Sequence, residues 1–217
     1  MESFEACLII EKIYITNFNI LTFCSYFMID YKKHKWFFTK SGKLVVGGKS
    51  AEGNDSLLND LKKMRKELIV MHTKSPGSPF CAILAPVNAV NEADLNECAV
   101  FTGCFSRAWK EGQKSVAVHM FKLSQLNKTD DMKSGSWNVK GKVKDFNVEL
   151  KLVITLQNEI VRAVPKNSAN AGEIIAFVRP GKIDKTKAVL TVKMSAVKKL
   201  NREQLLSALP AGGVEFS

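Results

Sequence analysis

The sequence predicts an α+β fold: a largely antiparallel sheet flanked by helices, with a small C-terminal α/β extension. Three observations point there. Short β-prone runs come in pairs joined by turn residues, two segments carry apolar residues at helical spacing, and one run alternates apolar and polar residues over nine positions. Lys35 to Thr39 and Lys43 to Val46, joined through Lys40, Ser41 and Gly42, read as a hairpin. After Gly47-Gly48, the spacing of Leu57, Leu58, Leu61 and Met64 predicts a helix within 51–65.

Leu68 to Met71 and Phe80 to Leu84 read as a second pair of strands. His72 to Pro79 between them is polar, and its two prolines and glycine exclude helix, so an exposed loop is expected. Leu95, Cys98, Ala99, Thr102, Phe105, Ser106 and Trp109 form one stripe of a long helix from about Glu92 to Lys110, with Gly103 and Arg107 away from it. Val116, Val118 and Met120 alternate as a strand. Val148 to Leu156 gives the clearest period of two, which predicts helices over one sheet face. Ser134 to Lys142 mixes glycines, lysines and Trp137, as a loop feeding a strand would. Beyond a Pro/Asn/Ser/Gly cluster at 165–172 lie a strand at Glu173 to Val178, a turn at Pro180-Gly181 and a helix ending near Leu200. Asn201 with Gln204 resembles the cap of a last helix.

This pattern divides the chain into a leader (1–27), a main domain (28–165) and a C-terminal strand-helix extension (166–217). The leader is acidic and rich in Phe, Ile and Asn, unlike the rest of the chain, and a translation start at Met28 is expected. Its uncharged run from Ile13 to Ile29 is too short and too polar for a membrane span and lacks the basic flank of a signal peptide. No membrane association is expected.

The chain of 217 residues has a net charge of +11. Residues 1–27 carry Glu2, Glu5 and Glu11 against Lys12 alone, a net of −2, which leaves +13 on residues 28–217. Such a body favours a polyanionic partner. The five cysteines show no C-x-x-C pair and the three histidines are far apart, so metal fingers and disulfide frameworks drop out; buried thiols in a reducing, cytoplasmic compartment fit.

Motifs for enzymatic chemistry are missing. Gly47-Gly48-Lys49-Ser50 looks like the end of a P-loop, but Lys43 stands where the first glycine belongs. His72 with Ser75 or Ser78 has no assignable third partner for nucleophilic catalysis. What remains is cations interleaved with aromatics and glycines: Lys32, Lys33, Lys35 and Trp36; Lys49; Lys74; Arg107, Trp109 and Lys110; Lys140, Lys142 and Lys144. Cations and free N–H groups hold phosphates, and flat side chains stack on unpaired bases. Trp36 is open to stacking or core, whereas Trp109, on the apolar stripe, is expected in the core.

Trp36-Phe37 through Gly47-Gly48-Lys49 to Asn54, the block His72 to Phe80, Phe105-Ser106-Arg107-Ala108-Trp109, Gln125 to Lys128 and Gly135 to Gly141 resemble, in this order, the NFACT-R domain. That is the RNA-binding module at the C-terminal end of NFACT ribosome quality-control proteins, also found as stand-alone proteins, especially in archaea. The resemblance covers roughly residues 30–156. It implies a mixed sheet flanked by helices and three functional blocks: Gly47, Gly48, Lys49 and Asn54; His72, Lys74, Gly77 and Ser78; and Arg107 with Trp109. Lys49 stands where arginine is common, Asp55 and Glu67 exchange the usual acid, and Pro79 replaces a second histidine of many bacterial members. Charge survives most of these exchanges, but bidentate geometry at Lys49 does not. The family's N-terminal domain, helix-hairpin-helix and coiled coil have no match here, so functions of those parts are not carried over.

The expectation is therefore a non-enzymatic protein, without cofactor or small-molecule substrate, that docks on tRNA or rRNA, at the large ribosomal subunit, in ribosome-associated quality control or translation. Lys49, Lys74, Arg107 and Lys142 are expected to pair with phosphates, the backbone at Gly47, Gly48 and Gly77 to approach the sugar-phosphate chain, and Asn54 and His72 to hydrogen-bond RNA; Ser78 completes the set. The alternative is an adaptor that contacts a ribosomal protein or an RNA-modifying enzyme.

Overall fold

The computed structural model describes residues 29–191 and 201–217. The expected leader, the Met28 start and the far half of the helix expected to end near Leu200 lie outside the described residues. Chain contacts separate residues 1–30 from a second unit spanning 31–217.

In the second unit β1 (Lys35–Phe38) and β2 (Leu44–Gly47) form the expected hairpin, with Phe37 opposite Val45 and Gly42 at a φ of +83° in the turn. Ser50 then caps α1 (Ala51–Lys63), its hydroxyl accepting from Gly53 N–H at 3.0 Å, so the last residue of the P-loop look-alike serves as a helix cap. β3 (Ile69–Thr73) and β4 (Cys81–Ile83) follow, then α2 (Glu92–Cys104) and the single turn α3 (Arg107–Lys110). β5 (Ser115–Lys122) and β8 (Lys144–Glu149) complete a six-stranded sheet in the order β1-β2-β4-β3-β5-β8. Between them the short strands β6 (Leu126–Asn127) and β7 (Asn138–Val139) pair as a ribbon.

A second sheet, in the order β10-β9-β11-β12, joins β9 (Leu152–Gln157), β10 (Ile160–Val164), β11 (Ala176–Asp184) and β12 (Gly213–Phe216). Helices α4 (Lys185–Thr191) and α5 (Arg202–Ala208) lie between its last two strands in sequence. Every strand pair among the described residues is antiparallel. Residue 165, where the composition shifts, falls between β10 and β11 of this one sheet.

One face of the six-stranded sheet (Phe37, Val45, Met71, Ile83, Val118, Val148) packs with Leu95, Cys98, Ala99 and Phe101 of α2. Trp36, Val46, Val70 and Ala82 alternate to the other face and are buried too, so the central strands are covered on both faces rather than one. Val153 and Val164 join the α2 core, whereas Leu152, Ile154, Val161 and Val214 turn the other way and bury Trp109, Val189 and Leu205.

Further sequence expectations need correction. The strand expected at Glu173 to Val178 starts at Ala176, and the turn expected at Pro180-Gly181 lies within it, as a register shift between Pro180 and Ile183. The helix from Glu92 to Lys110 breaks at Phe105-Ser106: Ser106 is extended, its hydroxyl donates to Gly103 C=O at 2.7 Å and accepts from Ala108 N–H, so it ends one helix and caps the next. Gly103 is buried, not off the packed face; a Cβ there would lie 2.8 Å from Val116 and 2.9 Å from Val148. The alternating run from Val148 to Leu156 is two strands of two sheets, because pairing with β5 ends at Leu150 N–H to Lys114 C=O and β9 then pairs with β10 and β11.

Candidate nucleic-acid interface

The β2–α1 joint, the β3–β4 loop, the α2–α3 break and the loop before β7 meet around an open cleft of about 680 Å³. Asn54, only 7% exposed, ties the first two together: its Oδ1 accepts from Phe80 N–H at 3.0 Å and its amide donates to Ser78 C=O at 3.5 Å. Within the β3–β4 loop, Ser78 Oγ accepts from Thr73 N–H at 3.0 Å and donates to Pro79 C=O, while Thr73 Oγ1 donates to Ser75 C=O. Thr73, Ser78 and Pro79 are buried, so only the tip at 74–77 is the exposed loop the sequence predicts. Gly77, at a φ of +108°, accepts from Arg107 N–H at 2.7 Å. That bond holds the first residue of α3 against the loop tip.

Eight of the ten candidate residues line this cleft: Gly48, Lys49, Asn54, His72, Lys74, Gly77, Ser78 and Arg107. Gly47 does not; it is buried beneath, where a Cβ would meet Cys81 Sγ at 2.8 Å. Lys142 borders a separate depression with Lys122, Lys144 and Ile69. The glycines also have internal reasons. A Cβ on Gly48 would sit 2.1 Å from Asn54 Oδ1 and 2.7 Å from its backbone N, and one on Gly77 would sit 3.1 Å from Arg107 Cβ. Their first role is close approach of the protein to itself. Trp36 and Trp109 are each 1% exposed and belong to the core; the Trp109 indole donates to Gly213 C=O at 3.2 Å.

Lining residues outside the candidate set include Lys35, Phe105, His119 and Trp137. Lys35 lies over the Phe105 ring, its ammonium 4.5 Å from the centroid. Burial, with the repulsion of Lys49, Lys185 and Arg162, holds that ammonium below the usual lysine pKa. Trp137 is half-buried at the rim, and its indole donates to Asp55 Oδ1 at 2.8 Å. The same carboxylate accepts from Lys128 Nζ (2.6 Å), Gly135 N–H (2.9 Å) and Ser134 Oγ (3.2 Å), so one side chain of α1 pins the whole loop. His119 faces His72 across β3 and β5 and pairs with Asp145 at 3.0 Å. Burial lowers the His72 pKa, so its ring is neutral at pH 7; its Nδ1 donates to Thr73 C=O at 2.7 Å, and the ring stacks on Phe80, 4.4 Å between centroids. Sequence spacing pairs neither the two histidines nor Asp55 with Trp137, since both depend on register and loop path. Lys35 had a signal: it precedes two buried aromatics at the start of β1, where it pairs with Gly47 of the glycine joint.

The cleft thus carries four cations, Lys35, Lys49, Lys74 and Arg107, with aromatic rings between them and, among the described residues, no aspartate or glutamate along its lining. Among the described residues no group of three or more His, Cys, Asp or Glu is placed to hold a metal ion, and no helix is long and apolar enough to cross a membrane. Residues 33–141 match the family model described as the NFACT protein RNA binding domain. The chain belongs to the NFACT-R family. In an alignment of 197 positions that covers 86% of this chain, it is 31% identical to the archaeal Rqc2 homolog aRqcH of Methanocaldococcus jannaschii, of which it spans 29%. Among solved structures it is similar to the C-terminal part of a fibronectin/fibrinogen-binding protein from Streptococcus suis, at 23% identity and a TM-score of 0.45 over 54% of this chain and 45% of that one. The NFACT-R match encloses every lining residue of the cleft, from Lys35 to Val139.

Proposed function

We propose that this NFACT-R cleft binds RNA, and that the protein acts without catalysis by docking on tRNA or rRNA at the large ribosomal subunit during translation quality control. One observation carries the reading: four cations and no carboxylate line a cleft rimmed by aromatic side chains among the described residues. Phosphates gain most where cations are held without internal counter-ions, and unpaired bases gain from ring faces nearby. The RNA-binding description of the family and the Rqc2 name of the archaeal relative support the same reading. Cytoplasmic residence follows from ribosome association. Lys49, Lys74 and Arg107 contact phosphates, neutral His72 contributes a ring face and hydrogen bonding rather than charge, and Asn54, Gly48, Gly77 and Ser78 hold those side chains in place.

The test is RNA affinity against salt for Lys74→Ala and Arg107→Ala. Each is expected to weaken binding and to make the slope of log affinity against log salt shallower by about 0.7 to 0.9. Binding identical to wild type for both variants refutes the site.

A further inference from the structure

The cationic lining does not stop at the cleft. Lys35, at its edge, lies over the Phe105 ring and feels the positive charges of Lys49, Lys185 and Arg162; Cys81 beside it has a thiol pKa pushed up to about 12 by burial and is neutral at pH 7. These cations come from three parts of the fold: β1 and the glycine joint, β10, and the start of α4. Arg162 and Lys185 lie beyond the segment matched by the family model.

Arg162 is held in an unusual way. Its guanidinium lies over Trp36, 3.9 Å from the ring centroid, and no salt bridge to it is found among the described residues. Its Nε and the Trp36 indole N–H are both buried without a hydrogen-bond partner among the described residues. A stacked guanidinium loses little rotamer freedom when an anion arrives, and a planar fork suits a phosphate. Lys185 is likewise anchored, its Nζ donating to Leu206 C=O at 3.2 Å. Lys185 also feels the carboxylate of Asp184 beside it, whereas Arg162 keeps a buried donor unpaired; such donors oppose folding, and local conflicts of this kind mark functional sites.

We infer that Arg162 and Lys185, with Lys35 as the link, form a phosphate track that carries an RNA strand out of the cleft and onto the C-terminal sheet. The inference rests on the cleft being an RNA site. It gives the C-terminal sheet a direct share in binding: strands long enough to leave the cleft gain two further phosphate contacts.

The experiment compares full-length wild type, Arg162→Gln, Lys185→Gln, Lys74→Ala and Arg107→Ala for binding single-stranded oligoribonucleotides of about 4 and about 16 nucleotides, the span of common single-strand sites. Thermal melts check that Arg162→Gln, which loses its stack on Trp36, remains folded; Lys185→Gln tests the track without touching that stack. The expected result is that Arg162→Gln and Lys185→Gln bind the short oligomer as wild type does, bind the long one several-fold more weakly, and each lose about 0.7 from its salt slope. Lys74→Ala and Arg107→Ala should weaken both lengths. If only the cleft variants weaken binding, the track is refuted and the cleft stands. If no variant does, both fall. If Arg162→Gln and Lys185→Gln spare both oligomers but weaken binding of polyglutamate, the cations serve an acidic protein segment and the inference is overturned.

Discussion

Replacing Asp55 by alanine sets two consequences of the structure against each other. The carboxylate lies close to a basic cleft, so removing its charge should by Coulomb's law alone tighten RNA binding. It also accepts four donors, from Lys128, Ser134, Gly135 and Trp137, and thereby pins the loop that forms one wall of that cleft. Burial pushes the Asp55 pKa up, but the bonds from Lys128, Gly135 and Trp137 outweigh it, and the net shift is downward. Hydrogen bonds to a charged group contribute about 1.5–3 kcal/mol each. The Lys128 and Asp55 side chains are 22% and 20% exposed, so solvent screens their pair, and a total of about 3 kcal/mol for holding the loop closed is reasonable. At about 1.4 kcal/mol per decade that is roughly a 100-fold change in the closed-to-open ratio. Native-state hydrogen exchange should therefore speed up by about that factor at residues 134–139 in Asp55→Ala, with little change in α2. RNA binding should weaken several-fold despite the lost negative charge. Unchanged exchange in the loop, or tighter RNA binding, refutes the clamp. In wild type the sign with pH is fixed: a lowered carboxylate pKa means the clamp is intact above the ordinary value of about 3.9 and is lost as pH falls through the native value below it.

Gly48→Ala should cost about 2 kcal/mol or more in denaturant unfolding, since the new methyl meets the Asn54 backbone and displaces the acceptor of Phe80 N–H, whereas Gly112→Ala, open on its Cβ side, should cost only the strain of its positive φ. Asp94→Asn should destabilise by about 3 kcal/mol; Asp94 accepts from Thr39, Ser41 and Asn91 N–H and pairs with Lys43 at 3.0 Å with its side chain 1% exposed, and a loss under about 1 kcal/mol contradicts its place in the core. Phosphate binding favours charged Lys35, so RNA binding takes up a proton, and affinity should fall as pH rises through the lowered Lys35 pKa towards 10.5. Lys35→Met should flatten that part of the pH profile, and a profile unchanged by the substitution removes Lys35 from the site.

Much of the fold was legible because its strands and helices keep simple periods. The β1–β2 hairpin, α1 and the Asn201 cap stand where spacing puts them, although Asn201 Oδ1 accepts from Glu203 N–H; the β3–β4 loop is shorter than expected, because β3 continues through His72 and Thr73. The failures share a cause: a break that preserves phase is invisible to periodicity. Ser106 interrupts the helix while Phe105 and Trp109 stay on the packed side, and the chain crosses from one sheet to the other at Leu150-Lys151 without disturbing the alternation. Buried acids are equally hidden from periodicity, since Asp94 and Glu97 take donors from the β1–β2 hairpin, which spacing along the chain does not place beside α2. At the site, local blocks disclosed Lys49, Lys74 and Arg107. Lys35 stood among the cations beside aromatics, His119 and Trp137 needed strand register and loop path, and Lys142 shows that a basic residue near a family block can still face elsewhere.

The central claim is that the cleft is an RNA site and not a general attraction of a basic body for polyanions. Its most direct test is binding of the full chain to tRNA, an rRNA fragment and duplex DNA of matched length, each titrated from about 50 to about 200 mM salt. The account predicts that RNA stays preferred and still bound at the higher salt, with a slope near −3 for the four lining cations at about 0.7 to 0.9 each. Equal affinity for all three, lost together as salt rises and insensitive to Lys74→Ala and Arg107→Ala, would contradict it.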